Sequence, residues 1–207
     1  MITDEAAARE FCRVRCDQAA FRRLERYVDL LRDENERQNL VSKASLDVVW
    51  QRHIADSAQL LDYVPCETNW LDLGSGPGLP GLVLAIMRPI NQYTLVESRR
   101  KRFQWLQHVT RDLDLENCVV AGTTVEKLDS LEYGAITARA FAPLPKLLKL
   151  SARFSTHSTR WLLPKGRSAA QELSEQAAGV RAMFHVEQSK TDPEAFILVG
   201  RGRPQSS

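Results

Sequence analysis

Residues 70–81, WLDLGSGPGLPG, constrain the fold of this chain more than any other stretch. A short apolar run ends in Asp72, and four glycines follow within the eight positions 74–81. Glycine lets the backbone turn sharply and approach a ligand without a Cβ in the way. Pro80 and Gly81 then open an apolar helix, whose first N–H groups are free to bind a ligand. The stretch therefore predicts a strand, a ligand-binding loop and a helix in direct succession.

Short apolar runs alternate with helical patterns along the rest of the chain. Strands that alternate with helices form right-handed βαβ units and a parallel sheet. FHVEQ and AFILVGR have only a turn between them, so this last pair predicts a hairpin and one antiparallel strand. The earlier runs are WLDL, YTLVE, CVVAG, AITARA and WLLPK, at 70–73, 93–97, 118–122, 135–140 and 161–165, with helices predicted near 82–88, 99–113, 143–153 and 168–180.

The first 62 residues have a different pattern. Apolar residues recur there at the helical spacings of three and four. We therefore predict an N-terminal helical segment, residues 1–62, packed on a Rossmann-like α/β domain, residues 63–207. The segment carries two apolar stripes, Phe21, Leu24, Val28 and Leu31, and Trp50, Ile54, Ala58 and Leu61.

The composition excludes several classes of protein. With 207 residues, 43% of them hydrophobic, the chain is long and apolar enough to form one folded domain. No apolar run approaches ~20 residues and the N-terminus is acidic, so neither a membrane span nor a signal peptide is expected. Four scattered cysteines predict reduced thiols, no metal site and a cytoplasmic location. A net charge of +2 does not by itself indicate a nucleic-acid partner, although residues 99–102 form a basic cluster.

Two ligands fit the glycine loop. Its D-x-G-x-G-x-G pattern and Glu97, 23 residues after Gly74, suit the ribose of S-adenosylmethionine. Residues 76–81 also satisfy the G-x-G-x-x-G pattern of NAD-binding proteins. Asp72 favours S-adenosylmethionine, because its charge would repel a pyrophosphate and attract the ammonium of methionine. A dehydrogenase would also need a substrate domain. We therefore expect S-adenosylmethionine, with an NAD-dependent oxidoreductase as an alternative.

The chain also limits the methyl acceptor. Methylation of an exocyclic amine is commonly associated with an Asn/Asp-Pro-Pro-aromatic turn after the fourth strand, where this chain has ARAFAP at 138–143. Methylation of a pyrimidine carbon needs a nucleophilic thiolate, and the Pro-Cys pair at 65–66 precedes the first strand. A ring nitrogen such as guanine N7 attacks through its lone pair, so alignment can supply most of the rate. The sequence is consistent with N7 chemistry without demonstrating it.

Three polar residues are candidates for the acceptor site. Arg139 follows the fourth strand, where an arginine can stack on a base, contact phosphate or reach guanine acceptors. A surface salt bridge is the alternative for this residue. His53 and Asp56 share a helix face at a spacing of three. Their alternative is a purely structural pair.

Several stretches together resemble one known family. They are QNLVS, RHIADS, LDLGSGPGLPG, LVES, KRFQWL, ARAFAPL and LPKG, in this order. Over roughly residues 25–200 the chain is similar to the RsmG (GidB) family, the 16S ribosomal RNA guanine-N7 methyltransferases. The resemblance implies a class I S-adenosylmethionine-dependent methyltransferase with a seven-stranded, mostly parallel sheet.

The same resemblance implies a substrate and a partner. The methyl group would go to N7 of a guanine, guanine 527, in the 530 loop of 16S rRNA. The expected partner is 16S rRNA or the small ribosomal subunit, and we expect a monomer without metal or membrane association. A noncatalytic RNA-binding or ribosome-binding module on the same fold is the alternative.

The resemblance also assigns roles to individual residues. Family donor contacts fall on Gly74, Leu79, Val125, Glu126 and Arg139, Glu97 matches the acid that binds ribose, and the loop adds Asp72, Gly76 and Gly78. The residues expected to act in catalysis are Arg139, His53, Asp56 and Lys165. Those expected to bind rRNA phosphates are Arg102, Lys165 and Arg167.

Overall fold

The computed structural model describes residues 1–65 and 67–204, so the cysteine of the Pro-Cys pair at 65–66 lies outside the described residues. Seven strands form one sheet: β1 (Asn69–Leu73), β2 (Gln92–Val96), β3 (Cys118–Ala121), β4 (Ala135–Thr137), β5 (Arg160–Lys165), β6 (Phe184–Gln188) and β7 (Phe196–Arg201). Their order is β3-β2-β1-β4-β5-β7-β6. β7 is antiparallel to both its neighbours, and the remaining pairs are parallel. The predicted mostly parallel sheet with one antiparallel strand is confirmed.

Helices precede the sheet and connect its strands. Those before it are α1 (Glu5–Arg13), α2 (Gln18–Asn35), α3 (Lys43–Leu46) and a continuous stretch made of a π-helical turn (Trp50–Ala55), α4 (Asp56–Ala58) and a 3-10 turn (Gln59–Tyr63). Those within it are α5 (Gly81–Met87), α6 (Arg100–Asp112), α7 (Leu144–Ser151), α8 (Ala169–Ser174) and α9 (Ala178–Met183), with short 3-10 turns at Val125–Lys127 and Ala152–Phe154.

Two hydrophobic clusters cover the two faces of the sheet. Trp70 of β1 belongs to the first, together with Leu24 of α2 and Leu82 of α5. Leu71 belongs to the second, with residues of β4, β5 and α7. Because successive strand residues point to opposite faces, Asp72 lies on the side of Trp70, beneath the start of α5. The N-terminal helices thus share a core with α5, and the division at residue 62 stays a prediction.

Three predicted elements differ from those observed. The fourth strand ends at Thr137 instead of residue 140, because the chain turns there and Ala140 has a left-handed backbone with a φ of 53°. The helix predicted over 168–180 is broken in two, since Ala177 is extended with a ψ of 151°. The second apolar stripe begins as a π-helical turn, whose Trp50 and Gln51 N–H groups donate to the Glu5 carboxylate.

The turn between β6 and β7 is held by the N-terminal helices. Gln59 donates through Nε2 to Ser189 Oγ at 3.0 Å and accepts the Lys190 N–H at 2.8 Å. Gln51 donates to the Thr191 carbonyl at 2.9 Å. These bonds hold the turn between β6 and β7 beside the helical stretch that begins with the π-helical turn. Over the ranges 1–65 and 67–204, no helix has both the length and the apolar character needed to cross a membrane.

Candidate active site

The glycine loop folds back over the end of β2. The Gly74 and Ser75 N–H groups donate to the Val96 carbonyl at 2.9 and 3.0 Å. Gly74 has a φ of 69°, and a Cβ built there would lie 2.6 Å from the ring of Phe141. Only glycine therefore fits this backbone and this close approach.

Two side chains hold the loop from behind. The Tyr27 hydroxyl of α2 donates to the Pro77 carbonyl at 3.2 Å, and the Trp105 indole N–H of α6 donates to the same oxygen at 2.8 Å. Tyr27 is fully buried, and burial raises the pKa of its hydroxyl. A helix of the N-terminal segment thus helps to fix the loop.

Glu97 follows β2 and closes the opposite side of the loop. Its Oε2 accepts the Gly76 N–H at 3.0 Å, and its Oε1 accepts the Arg99 N–H at 2.7 Å. The residue is only 5% exposed. A carboxylate has about four acceptor positions, so two remain for hydroxyl groups of a ligand. The Glu97 carboxylate is therefore fixed by two hydrogen bonds and can accept two more from the hydroxyl groups of a ribose.

A cavity of about 300 Å³ opens between the glycine loop, the end of β2 and the turn after β3. We call it the donor cavity. Four residues predicted to bind the cofactor line it, namely Gly74, Glu97, Val125 and Glu126. Arg102, predicted to bind RNA, lines it too. Lining residues that the sequence did not indicate include Thr123, Thr124, Lys146 and Leu150.

Three residues of the glycine loop that were predicted to bind the cofactor do not line the donor cavity. Gly76 supplies the N–H held by Glu97. The Gly78 and Leu79 N–H groups donate to the Ser75 carbonyl at 2.7 and 3.1 Å, and a Cβ at Gly78 would lie 2.2 Å from Leu82. These three residues shape the loop without lining the cavity.

Asp72 does not line the donor cavity either, and it is 1% exposed. Its Oδ2 accepts the Gly81 N–H at 3.2 Å, and its Oδ1 has no partner among the residues that the structure describes. Burial raises the pKa of this carboxyl to about 6. The side chain therefore supports the start of α5, and a half-satisfied charge lies next to the glycine loop.

A second cavity, of about 480 Å³, shares Ala140 with the donor cavity. We call it the acceptor cavity. The predicted catalytic residues meet here, although the chain brings them from the π-helical turn, α4, the loop after β4 and the end of β5. Its lining consists of Arg52, His53, Asp56, Arg139, Ala140, Pro164, Lys165, Gly166, Arg167, Asp192, Glu194, Ala195 and Phe196.

Arg139 joins the polar residues of the acceptor cavity. Its Nη2 lies 3.2 Å from His53 Nδ1, and its Nη1 lies 3.5 Å from Asp56 Oδ2. Since a guanidinium only donates, His53 Nδ1 accepts and the ring proton is on Nε2, 2.9 Å from Ser45 Oγ. Burial, then the charges of Arg139 and Arg52, lower the pKa of His53 to about 3. The imidazole is therefore neutral at physiological pH.

Asp56 ties this cavity to the β6–β7 turn. Its Oδ1 accepts from Gln59 Nε2 at 2.9 Å, from Thr191 Oγ1 at 3.0 Å and from Ser189 Oγ at 3.3 Å. Its Oδ2 faces Arg139. Both oxygens of the carboxylate therefore have a partner, and Oδ2 helps to hold Arg139 in place.

The basic residues predicted to bind RNA lie in different environments. Lys165 Nζ lies 2.9 Å from Glu172 Oε2 of α8, and its side chain is 16% exposed. Arg167 pairs with Glu194, and its side chain is 76% exposed. Both line the acceptor cavity, whereas Arg102 lines the donor cavity.

The comparison with known sequences identifies the family. A profile of the GidB family, described as rRNA small subunit methyltransferase G, matches residues 20–193. The chain belongs to this family. A Ribosomal RNA small subunit methyltransferase G of Erythrobacter litoralis is 62% identical over 207 residues, 100% of both chains. The protein of that name from Novosphingobium aromaticivorans is 56% identical over 189 residues, 89% of this chain and 82% of the relative. The predicted membership of the RsmG (GidB) family is confirmed.

Solved structures support the fold. A SAM-dependent methyltransferase of Aquifex aeolicus superposes with a TM-score of 0.59 at 13% identity, over 79% of this chain and 95% of that one. Fibrillarin in its complex with Nop5p superposes with a TM-score of 0.56 at 11% identity, over 73% and 82%. The predicted class I, Rossmann-like methyltransferase fold is confirmed.

Proposed function

We propose that this chain transfers the methyl group of S-adenosylmethionine to N7 of a guanine in 16S rRNA, in the 530 loop. The observation that carries the proposal is the meeting of two cavities at Ala140, one suited to the methyl donor and one to a base. The family supports the same reaction, since its described activity is that of a small-subunit rRNA methyltransferase.

The donor cavity fits S-adenosylmethionine. Glu97 offers two free acceptor positions to the ribose hydroxyls. Val125 lines the cavity after β3 and provides an apolar contact for the adenine ring. The buried charge of Asp72 next to the glycine loop favours the ammonium of the methionine part over a pyrophosphate. S-adenosylmethionine supplies an electrophilic methyl group, and the chain has to orient the acceptor towards it.

The acceptor cavity fits a nucleophile that needs no base. The N7 lone pair of guanine forms the new bond to the methyl carbon while the sulfur–carbon bond breaks, and no proton leaves the base. His53 is neutral but donates its only ring proton towards Ser45, and both oxygens of Asp56 have partners. Among these three residues, Arg139, in the loop after β4, is the one that can donate a hydrogen bond to a base in the cavity. These residues therefore position guanine, and alignment supplies most of the rate.

Methyl mapping tests this function. In cells that lack this chain, we expect 16S rRNA to lose an N7-methylguanine in the 530 loop, and the purified chain with S-adenosylmethionine to restore it. Assays on free 16S rRNA and on small subunits identify the form of the substrate. Unchanged methylation in the deletion strain would contradict the proposal.

Calorimetry separates the two alternatives. A noncatalytic module on this fold should bind RNA without binding S-adenosylmethionine, and an NAD-dependent oxidoreductase should bind NAD instead. We expect S-adenosylmethionine to bind and NAD not to. An rRNA methyltransferase works where ribosomes assemble, and we propose that this chain acts in the cytoplasm as a monomer.

A further inference from the structure

We propose that Glu194 selects guanine by accepting hydrogen bonds from its N1–H and 2-amino groups. This inference rests on the proposed function and concerns how the acceptor base is recognised. Guanine carries acceptors at N7 and O6 along one edge, and its 2-amino group is a donor on another edge. Adenine has no 2-amino group, so an acceptor placed at that edge distinguishes the two bases.

The meeting of the cavities fixes the orientation of the base. N7 has to face Ala140, because the donor cavity opens on that side. O6 is next to N7 and then lies on the side of Arg139, which can donate to it. With N7 and O6 directed to Ala140 and Arg139, the N1–H and 2-amino groups are left to the remaining polar lining, which includes the turn between β6 and β7. That turn supplies Asp192, Glu194 and Ala195 to the cavity lining.

Of the three carboxylates that line the cavity, Glu194 is the one that has an oxygen without any hydrogen-bond donor among the described residues. Asp56 is engaged through both oxygens. Asp192 accepts the Glu194 N–H through Oδ1 at 2.9 Å and pairs with Arg52 through Oδ2. Glu194 pairs with Arg167 through Oε2, and its Oε1 has no donor within residues 1–65 and 67–204.

The ion pair between Glu194 and Arg167 can be broken at little cost in free energy, so that Glu194 can pair with a base instead. The two side chains are 56% and 76% exposed, and exposed ion pairs contribute little to stability. The N1–H and 2-amino groups form a planar pair of donors, which matches a carboxylate as the guanidinium of arginine does. Entry of guanine then releases Arg167, which becomes free to contact a phosphate of the RNA.

The test replaces guanosine at the target position with inosine, which lacks the 2-amino group and keeps N7, O6 and N1–H. For the wild-type chain, we expect kcat/KM for the inosine RNA to be lower by about 10- to 150-fold, the equivalent of one hydrogen bond to a charged group. In Glu194→Ala the two RNAs should react at similar rates, since the acceptor that distinguishes them is gone.

Asp192→Asn is the matched control, because it weakens another ion pair of the same turn. It should keep the wild-type preference for guanosine, whatever its overall rate. Melting temperature and S-adenosylmethionine affinity identify any variant that is misfolded. Glu194→Gln keeps one acceptor oxygen, and its preference for guanosine RNA should lie between those of the wild type and of Glu194→Ala.

A wild-type preference retained in Glu194→Ala, or a wild-type chain that does not distinguish the two RNAs, overturns the assignment and leaves the proposed methyltransferase function intact. A wild-type chain that methylates neither RNA contradicts the proposed function itself.

Discussion

The donor and acceptor cavities meet at one residue, yet they are built in different ways. The donor cavity is bounded by a glycine loop, a strand end and a carboxylate whose two oxygens are held by backbone N–H groups. The acceptor cavity is made of charged side chains from four distant segments, and most of them are paired with one another. The donor half is therefore fixed by the fold, whereas the acceptor half depends on a balance of charges.

The N-terminal helices contribute to the two halves unequally. To the donor half they give one hydrogen bond, from Tyr27 to the Pro77 carbonyl. To the acceptor half they give Arg52, His53 and Asp56 as lining residues. Substitutions in the two halves should therefore separate binding of the methyl donor from reaction with the RNA.

Arg139→Ala should have the largest effect. The variant removes the cation that contacts both His53 and Asp56. The guanine is then positioned less accurately, and a misplacement of about 1 Å can slow a reaction by about 100-fold. We expect single-turnover methylation to slow by about this factor, with little change in the dissociation constant for S-adenosylmethionine. Arg139→Lys, which keeps the charge, should retain part of the rate. An equal loss of donor affinity would place Arg139 in the donor half, as the resemblance to the family implied.

Glu97→Ala should have the converse effect. It removes hydrogen bonds to the ribose, each worth about 1.5–3 kcal/mol when the acceptor is charged, or about 10- to 150-fold in affinity. Calorimetry should show weaker S-adenosylmethionine binding and unchanged RNA binding. Glu132→Ala is the matched control, because it removes an exposed carboxylate that lines neither cavity. An unchanged dissociation constant in Glu97→Ala would remove Glu97 from the cofactor site.

Arg167→Ala should change the salt dependence of RNA binding. Its exposed side chain can reach a phosphate, and each phosphate contact contributes about 0.7–0.9 to the slope of log K against log salt. We expect the slope to fall by about one. Lys165→Ala should leave it nearly unchanged, since Lys165 is largely buried against Glu172. A slope that falls by about two in the double variant would show that both cations contact phosphate, as the sequence suggested.

The smallest effect is expected for the pH dependence of the reaction. His53 has a pKa of about 3 in the fold, so it stays neutral from about pH 6.5 to about pH 8.5, a range that also lies above the pKa of Asp72. Single-turnover rates at saturating RNA should be flat in this range for the wild type and for His53→Ala. A step near neutrality that vanishes in His53→Ala would make His53 an acid–base catalyst.

The stability of the chain should respond to His53 below that range. Between about pH 6.5 and about pH 3, an unfolded chain binds a proton at this residue and the folded chain does not. The free energy of unfolding should therefore fall as the pH drops through this window. His53→Gln should lose this part of the pH dependence. The raised pKa of Asp72 acts in the opposite direction, because it makes the folded chain bind a proton before the unfolded chain does, and Asp72→Asn removes this contribution.

The sequence indicated the donor half through one local pattern and the acceptor half only through separate residues, for a physical reason. A glycine loop and the acid after the next strand belong to one local unit, so Gly74 and Glu97 were found from their spacing. Arg139, His53 and Asp56 were found as separate candidates, and the structure shows that they form one network. Lys165 and Arg167 were predicted for RNA binding, but no sequence pattern indicated the acids with which they pair.

The remaining features depend on contacts between distant segments. Glu194 carries no local motif, and its place in the acceptor cavity depends on the way in which the N-terminal helices hold the β6–β7 turn. Tyr27 looks like an ordinary residue of an apolar helix face, although its hydroxyl supports the glycine loop. The early end of the fourth strand follows from the left-handed backbone of Ala140, which no residue-type preference predicts.

The bond between Trp105 and the Pro77 carbonyl gives the glycine loop an optical signal of its own. A shift of the loop alters the hydrogen bond at the indole N–H, and so the emission of the ring. Trp105 shares the first hydrophobic cluster with Trp50 and Trp70, and Trp161 belongs to the second. A chain with phenylalanine in place of Trp50, Trp70 and Trp161 would keep Trp105 as its single tryptophan, hydrogen-bonded to the loop. Its emission would follow occupancy of the donor cavity without a label on either substrate.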